Sequence, residues 1–225
     1  MFDPAQYHAL TGEQADLVRQ VAKYTEKYFQ DPKFDASHDF NHVLRVTAIA
    51  IKILEQEQRR TKSAYDALTV ILGALMHDID DRKYRSAQVT TVPEAQRELI
   101  RLGLSEILAQ RIQALIDGVS YTSEVKNPQK VRDLIITIPE LAIVQDADRL
   151  DAIGTIGVGR CFAYGAAQTA RDLSGTIDHF DDKLFKLEDM MKTEPGRQLG
   201  AEYTARLKRF KTWWQQEMDF AGSLP

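Results

Sequence analysis

Apolar residues recur every three or four positions along most of this chain, the spacing that gives a helix one buried face. Leu17, Val21, Tyr24 and Tyr28 set the rhythm over residues 13–30, and Val46, Ile49, Ile53 and Leu54 over residues 38–58. Residues 64–78 hold the most apolar run, which closes on the doublet His77 and Asp78. Two further helices are predicted at 93–103 and 105–119, split at Gly103. Pro139, favoured in a first helical turn, starts another that runs to about Gly154. Residues 155–170 are rich in Gly and Ala, and 181–192 and 200–219 read as the last two helices. Strand signal is confined to residues 131–138, a short β-branched stretch. Loops are predicted at 31–37, 79–92, 120–130 and 171–180, where Pro, Ser, Asn and Asp gather. The pattern predicts a single all-α domain over 1–225, without repeats or low-complexity linkers.

Composition narrows the setting. A chain of 225 residues can bury a sizeable core. Its 44% hydrophobic and 28% charged residues are ordinary for a soluble globular protein. The net charge of −4 gives no electrostatic reason to bind nucleic acid, and the short basic cluster at 58–62 reads as a solvated helix end. The single cysteine, Cys161, excludes an intramolecular disulfide, fits a reducing compartment and is expected to pack as a small apolar group. The first residues lack the basic and apolar regions of a secretory signal. No run of about 18 apolar residues predicts a membrane span. A cytoplasmic location is expected, with the nucleus open.

The doublet carries the first chemistry. A histidine and a carboxylate at the end of a buried helix must be paired or bind a metal, because an unpaired buried charge costs several kcal/mol. Gly73 and Ala74 share the face of His77 and leave room beside it, while His42 ends the stripe of Val46, Ile49 and Ile53. Around Asp146, a helical wheel groups Ile143, Ala147, Leu150, Ile153 and Gly154 on one face with Asp146 among them. Asp148 falls with Gln145 and Arg149 on the other side, and Asp151 at the border. The wheel therefore selects Asp146 as the buried carboxylate, and His42, His77, Asp78 and Asp146 as ligands of one divalent metal ion. Mixed histidine and carboxylate ligation suits Mn, Mg, Ni, Fe, Co or Zn; a structural zinc would call for cysteines. A competing reading sets His38 and His42 at the spacing of His-Glu-x-x-His zinc proteases, with Asp39 in place of the Glu. It shortens the general base and leaves His77 and Asp78 unexplained.

The order of these residues resembles the HD superfamily of metal-dependent phosphohydrolases. His42 opens a His-x-x-Arg-Val start with Arg45 and Val46, the His77–Asp78 doublet follows, and Asp146 comes last. Stretches 37–42, 144–154 and 178–184 are similar to the small stand-alone HD hydrolases, some of them nucleotide pyrophosphohydrolases. The likeness runs from about residue 35 to 215. It implies a compact helical HD-type domain with a metal core at about 35–155, C-terminal helices at 155–220, and His42, His77, Asp78 and Asp146 on one metal. It also implies a small phosphorylated substrate, nucleotide-like in character. Residues 116–121 depart from bacterial members, which tend to carry histidine and serine there. With few additional histidines in the chain, a single ion is expected.

Phosphate hydrolysis needs an activated water and cations against the phosphate charge. Asp81, one turn beyond His77, is the candidate general base or water-orienting residue. His38 and Lys83 join it as candidate catalytic residues, with Arg82 beside them. Arg45, Arg149, His179 and Lys183 are the candidate substrate contacts. Asp39 suits either a helix-start charge or a carboxylate that orients a histidine. Gly154, Gly157 and Gly159 follow no strand, so helix packing explains them better than a dinucleotide loop. Trp213 and Trp214 are expected to pack the last helix with Leu207 and Phe210. The expected activity is cleavage of a phosphoanhydride or phosphoester by metal-activated water. Its rivals are a non-catalytic HD-like sensor or scaffold that binds metal or nucleotide, and a cyclic-nucleotide phosphodiesterase. Oligomeric state is left open.

Overall fold

Short polar side chains start most of the helices. Thr11 and Gln14 form a reciprocal capping box at the first; Asp39, Asp66, Ser105, Asn127 and Asp172 each accept from a backbone N–H of the helix they open. The computed structural model describes residues 2–61, 64–79 and 92–222, apart from the side chains of residues 221 and 222. Its described residues form eleven α-helices and no strand. They are α1 (Gly12–Tyr28), α2 (Phe40–Arg60), α3 (Ala67–Met76), α4 (Glu94–Arg101), α5 (Glu106–Val119), α6 (Tyr121–Lys126), α7 (Pro128–Thr137), α8 (Glu140–Asp151), α9 (Gly154–Gln168), α10 (Leu173–Asp182) and α11 (Glu194–Gly222). Short 3₁₀ turns occur at Pro4–Gln6 and Leu184–Met190.

Helix α8 is the axis of the molecule. It packs against α2, α3, α5, α7, α9 and α11, and every one of its residues except Asp148 is buried. A helix covered on all sides has no polar face, so an argument that assigns it one buried stripe breaks down. Around it, α2 and α3 bury Val43, Val46, Ile53, Leu72 and Leu75, and α1, α4 and α5 add Val18, Val21, Leu99, Ile112 and Leu115.

The all-α expectation holds, with local corrections. Residues 131–137 belong to α7, with Ile138 as its C-cap, and form no strand: Asn127 caps the helix, Pro128 occupies its first turn, and Ile136 points outward, 80% exposed. Local capping and the packing of α7 on α5 and α8 outweigh β-branched composition there. The expected loop at 120–130 contains α6 and the start of α7, and that at 171–180 is largely α10. The helix expected at 181–192 is mostly a 3₁₀ turn. Trp214 packs on Phe162 with ring centroids 5.8 Å apart, whereas Trp213 is exposed. No helix among the described residues is long and apolar enough to cross a membrane.

Candidate metal centre

His42 lies in the first turn of α2. Asp39, the N-cap, accepts from the His42 backbone N–H at 2.9 Å, so it fixes the backbone and leaves the imidazole free for other work. His77 caps the C-terminal end of α3, and its Nδ1 lies 2.8 Å from the Ala74 carbonyl oxygen. A carbonyl only accepts, so Nδ1 carries the proton and Nε2 is turned outward. The Nδ1 of His42 meets the carboxylate of Asp151 at 2.8 Å.

The two Nε2 atoms converge to 3.2 Å. Asp78 Oδ2 stands 3.4 Å from each of them, buried and satisfied by no hydrogen bond. Asp148 Oδ1 lies 3.6 Å from the His42 Nε2 and 3.7 Å from that of His77. Four electron-pair donors thus face one small volume, an arrangement that repels itself unless a proton or a cation lies between them. Burial alone would lower the pKa of His77. Asp78 and Asp148 outweigh it and lift the group to about 9. Burial would likewise raise Asp78, yet the two imidazoles hold it well below the usual carboxylate range. His42, His77 and Asp78 have the separation expected of ligands around one ion, each offering one donor atom. The donor set, two imidazoles and two carboxylates, fits a divalent cation of borderline to hard character.

Asp146 is not part of this group. Its carboxylate accepts from the backbone N–H groups of Lys192 and Thr193 and from the Thr193 hydroxyl, at 2.7–2.8 Å. It pins the start of α11 onto α8, and with Thr193 it leaves no room for a side chain at Gly196. Burial raises its pKa even against those three donors. Asp146 is the most buried aspartate of the helix because α11 covers it; the residue that faces the histidines is Asp148, whose side chain is 28% exposed. Burial marks the carboxylate that α11 covers and not the one that faces the histidines.

The other expected residues fall into distinct places. Asp81, Arg82 and Lys83 lie outside the described residues. His38 sits beside the centre, with its ring 6.1 Å from that of His42 and its Nδ1 2.7 Å from Ser37 Oγ. Arg45 is taken by Asp151, through Nε at 2.8 Å and Nη2 at 3.0 Å. It also lines a cavity of about 280 Å³ with Ile49, Ile153, Tyr203 and Arg206, to which none of the four clustered residues contributes. Arg149 is buried and pairs with Glu124, which in turn binds Lys192 Nζ at 2.8 Å. It ties α6 to α8 instead of reaching the centre. Lys183 stands over the Tyr121 ring at 4.8 Å from its centroid. His179 is half-buried on α10, and burial, with Arg171 and Lys183 nearby, depresses its pKa.

Sequence reasoning passed over two residues that meet the histidines: Asp148, set on the polar side of the wheel, and Asp151, left at its border. The signal available for Asp151 was its place three residues after Asp148, on a neighbouring part of the same helix face.

The HD domain family model matches residues 39–153, a span that contains all four clustered residues. The protein YpgQ of Bacillus subtilis (strain 168) is 33% identical over 208 residues, covering 91% of this chain and 94% of its own length. The crystal structure of Bacillus subtilis YpgQ in complex with ADP superposes with a TM-score of 0.72 at 27% identity, over 91% of this chain and 96% of that one. An HD-superfamily hydrolase from Bacillus thuringiensis shares the fold, with a TM-score of 0.65 at 24% identity, over 92% of this chain and 98% of that one.

Proposed function

This chain belongs to the HD-domain family, and we propose that it is a divalent-metal-dependent phosphohydrolase that cleaves a phosphoanhydride or phosphoester of a nucleotide-like substrate. The observation that carries this reading is the convergence of four donor atoms from three helical segments: Nε2 of His42 and His77, and one carboxylate oxygen each of Asp78 and Asp148. These four residues would hold one ion, with Mn, Mg, Ni, Fe, Co and Zn as candidates. When bound, such an ion lowers the pKa of water and offsets charge on a phosphoryl oxygen.

The chain's own residues supply the rest. With Nδ1 of His77 and His42 engaged by Ala74 and Asp151, Nε2 of each ring is the nitrogen left to bind a cation, which would take the place of any proton there. We assign His38, beside His42, to donate to a phosphate oxygen, a role its place next to the cluster supports. We assign Asp81 to orient or deprotonate the attacking water, and Lys83, with Arg82, to meet the phosphate charge. His179 and Lys183 are assigned to the substrate's distal part, whereas Arg45 and Arg149 serve the frame. The ADP complex of YpgQ supports a nucleoside phosphate as the ligand class. The lone cysteine supports the cytosol as the compartment.

The test is a panel of nucleotides offered with Mn, Mg, Ni, Co or Zn, with products resolved to separate pyrophosphate from phosphate. Hydrolysis that a chelator abolishes and Asp148→Ala eliminates is the expected result. Metal bound without turnover of any substrate in the panel would make the chain a binding module instead.

A further inference from the structure

The environment of Asp151 is more elaborate than a structural ion pair requires. Its side chain is 2% exposed, and both oxygens are engaged. Oδ2 lies 2.8 Å from His42 Nδ1, 3.0 Å from Arg45 Nη2 and 3.1 Å from Arg160 Nη1. Oδ1 lies 2.8 Å from Arg45 Nε. A guanidinium has no acceptor, and an ionised carboxylate has no donor. The two arginines thus hold Asp151 as an oriented acceptor, and its contact with His42 is satisfied only by an N–H on Nδ1. Arg160 also donates from Nε to the Ser37 carbonyl at 2.8 Å, which ties the loop before α2 into the same network.

We propose that Asp151 is the positioning residue of the metal centre: it sets His42 in the Nδ1–H tautomer and orients its Nε2 toward Asp78 and Asp148. This rests on the metal reading above. The two histidines differ in how they are set. His77 is oriented by Ala74, three residues back in its own helix, so its tautomer follows from local folding. His42 is oriented from 109 residues away, and the contact exists only once α2 has docked on α8. One helix therefore supplies a ligand, Asp148, and the group that aims another. Arg45 and Arg160 act through Asp151 and not on the substrate. A carboxylate that accepts from the far nitrogen of a ligating histidine raises its basicity and fixes its ring, and its loss typically costs about 10–100-fold in metal affinity.

The experiment has two parts. Two-bond ¹H–¹⁵N correlations on the metal-free parent chain, at an alkaline pH where its imidazoles are neutral, report the His42 tautomer. A proton on Nδ1 is expected, and a proton on Nε2 overturns the proposal. Mn²⁺ affinity is then measured by chelator competition for the parent, Asp151→Asn and Arg160→Gln, with a thermal melt in chelator to establish that each variant is folded. Asp151→Asn should weaken Mn²⁺ binding by about 10–100-fold, with the His42 tautomer no longer uniform. Arg160→Gln keeps the carboxylate and every ligand, and should shift affinity in the same direction by less; it decides the matter if Asp151→Asn does not fold. A purely structural role would lower the melting temperature and leave the affinity of the folded chain and the tautomer unchanged, which would also overturn the proposal. If the parent itself binds no Mn²⁺, the metal reading falls, while the tautomer measurement still decides how His42 is set.

Discussion

The carboxylates of Asp146 and Asp148 leave α8 about 200° apart around its axis. One caps α11 through three hydrogen bonds, and the other faces two imidazoles. Replacing each with Asn should therefore separate structure from metal binding. Asp148→Asn should lose most of the bound metal, read by elemental analysis, with little change in the melt of the metal-free chain. Asp146→Asn should keep the metal and lose about 1–3 kcal/mol of stability in a denaturant titration, because an amide sets a donor against donors in a buried place. Equal loss of metal in both would mean that α11 docking and the centre are one unit. Asp81→Asn, on the proposal that Asp81 handles the attacking water, should lower turnover by roughly 10²–10⁴-fold with metal content unchanged. Three of the four clustered residues were legible in the sequence, since His42, His77 and Asp78 end apolar stripes. Asp148 was not, because the wheel treats burial as a proxy for proximity to the site. On a helix enclosed by six neighbours that proxy points to whichever carboxylate another element covers.

At the scale of elements, helices with strong periodicity and clear caps, such as α1, α2 and α5, matched their expected ranges to within about two residues. The misreadings, α6, α7 and α10, are short helices of six to ten residues, in which a helical period has at most about three turns to repeat. Tertiary packing decides them, as Leu134 of α7 against Gly118 of α5 illustrates. The glycines of α9 were expected to serve packing, and the structure distinguishes among them. Gly154 takes a φ of +71°, where the chain turns from α8 into α9. Gly157 lies directly on the backbone of Ala152, while Gly159 has open space beside it. A methyl group at 157 would collide with backbone that cannot move away. Gly157→Ala should cost about 2–3 kcal/mol, near the upper end for overpacking. At Gly118 the obstacle is only the tips of Leu134 and Leu141. Their movement, offset by a gain of about 1 kcal/mol in helix propensity, should leave Gly118→Ala within about 1 kcal/mol of the parent. Denaturation midpoints of the two variants, at equal slope, give the comparison; a larger loss at 118 than at 157 would place the tight contact at the α5–α7 crossing.

For the whole molecule, the centre joins the start of α2, the end of α3 and the last turns of α8, segments that meet only when the central helices have packed. The unfolded chain brings no such set of donors together. A cation bound there selects the folded state, and its binding free energy appears as stability. With free metal at about 100 times its dissociation constant, the gain is about 2.7 kcal/mol. For a chain of this length each kcal/mol moves the melting temperature by about 2–4 °C, so saturation should raise it by roughly 5–10 °C. The rise should grow with the logarithm of metal concentration, and a chelator should reverse it. Asp148→Ala should flatten the dependence without lowering the metal-free melting temperature much, because Asp148 is the least buried residue of α8. Asp146→Asn should do the reverse, starting lower and rising with metal in parallel with the parent. Parallel curves for the parent and Asp148→Ala would place the thermodynamic metal site away from the two histidines.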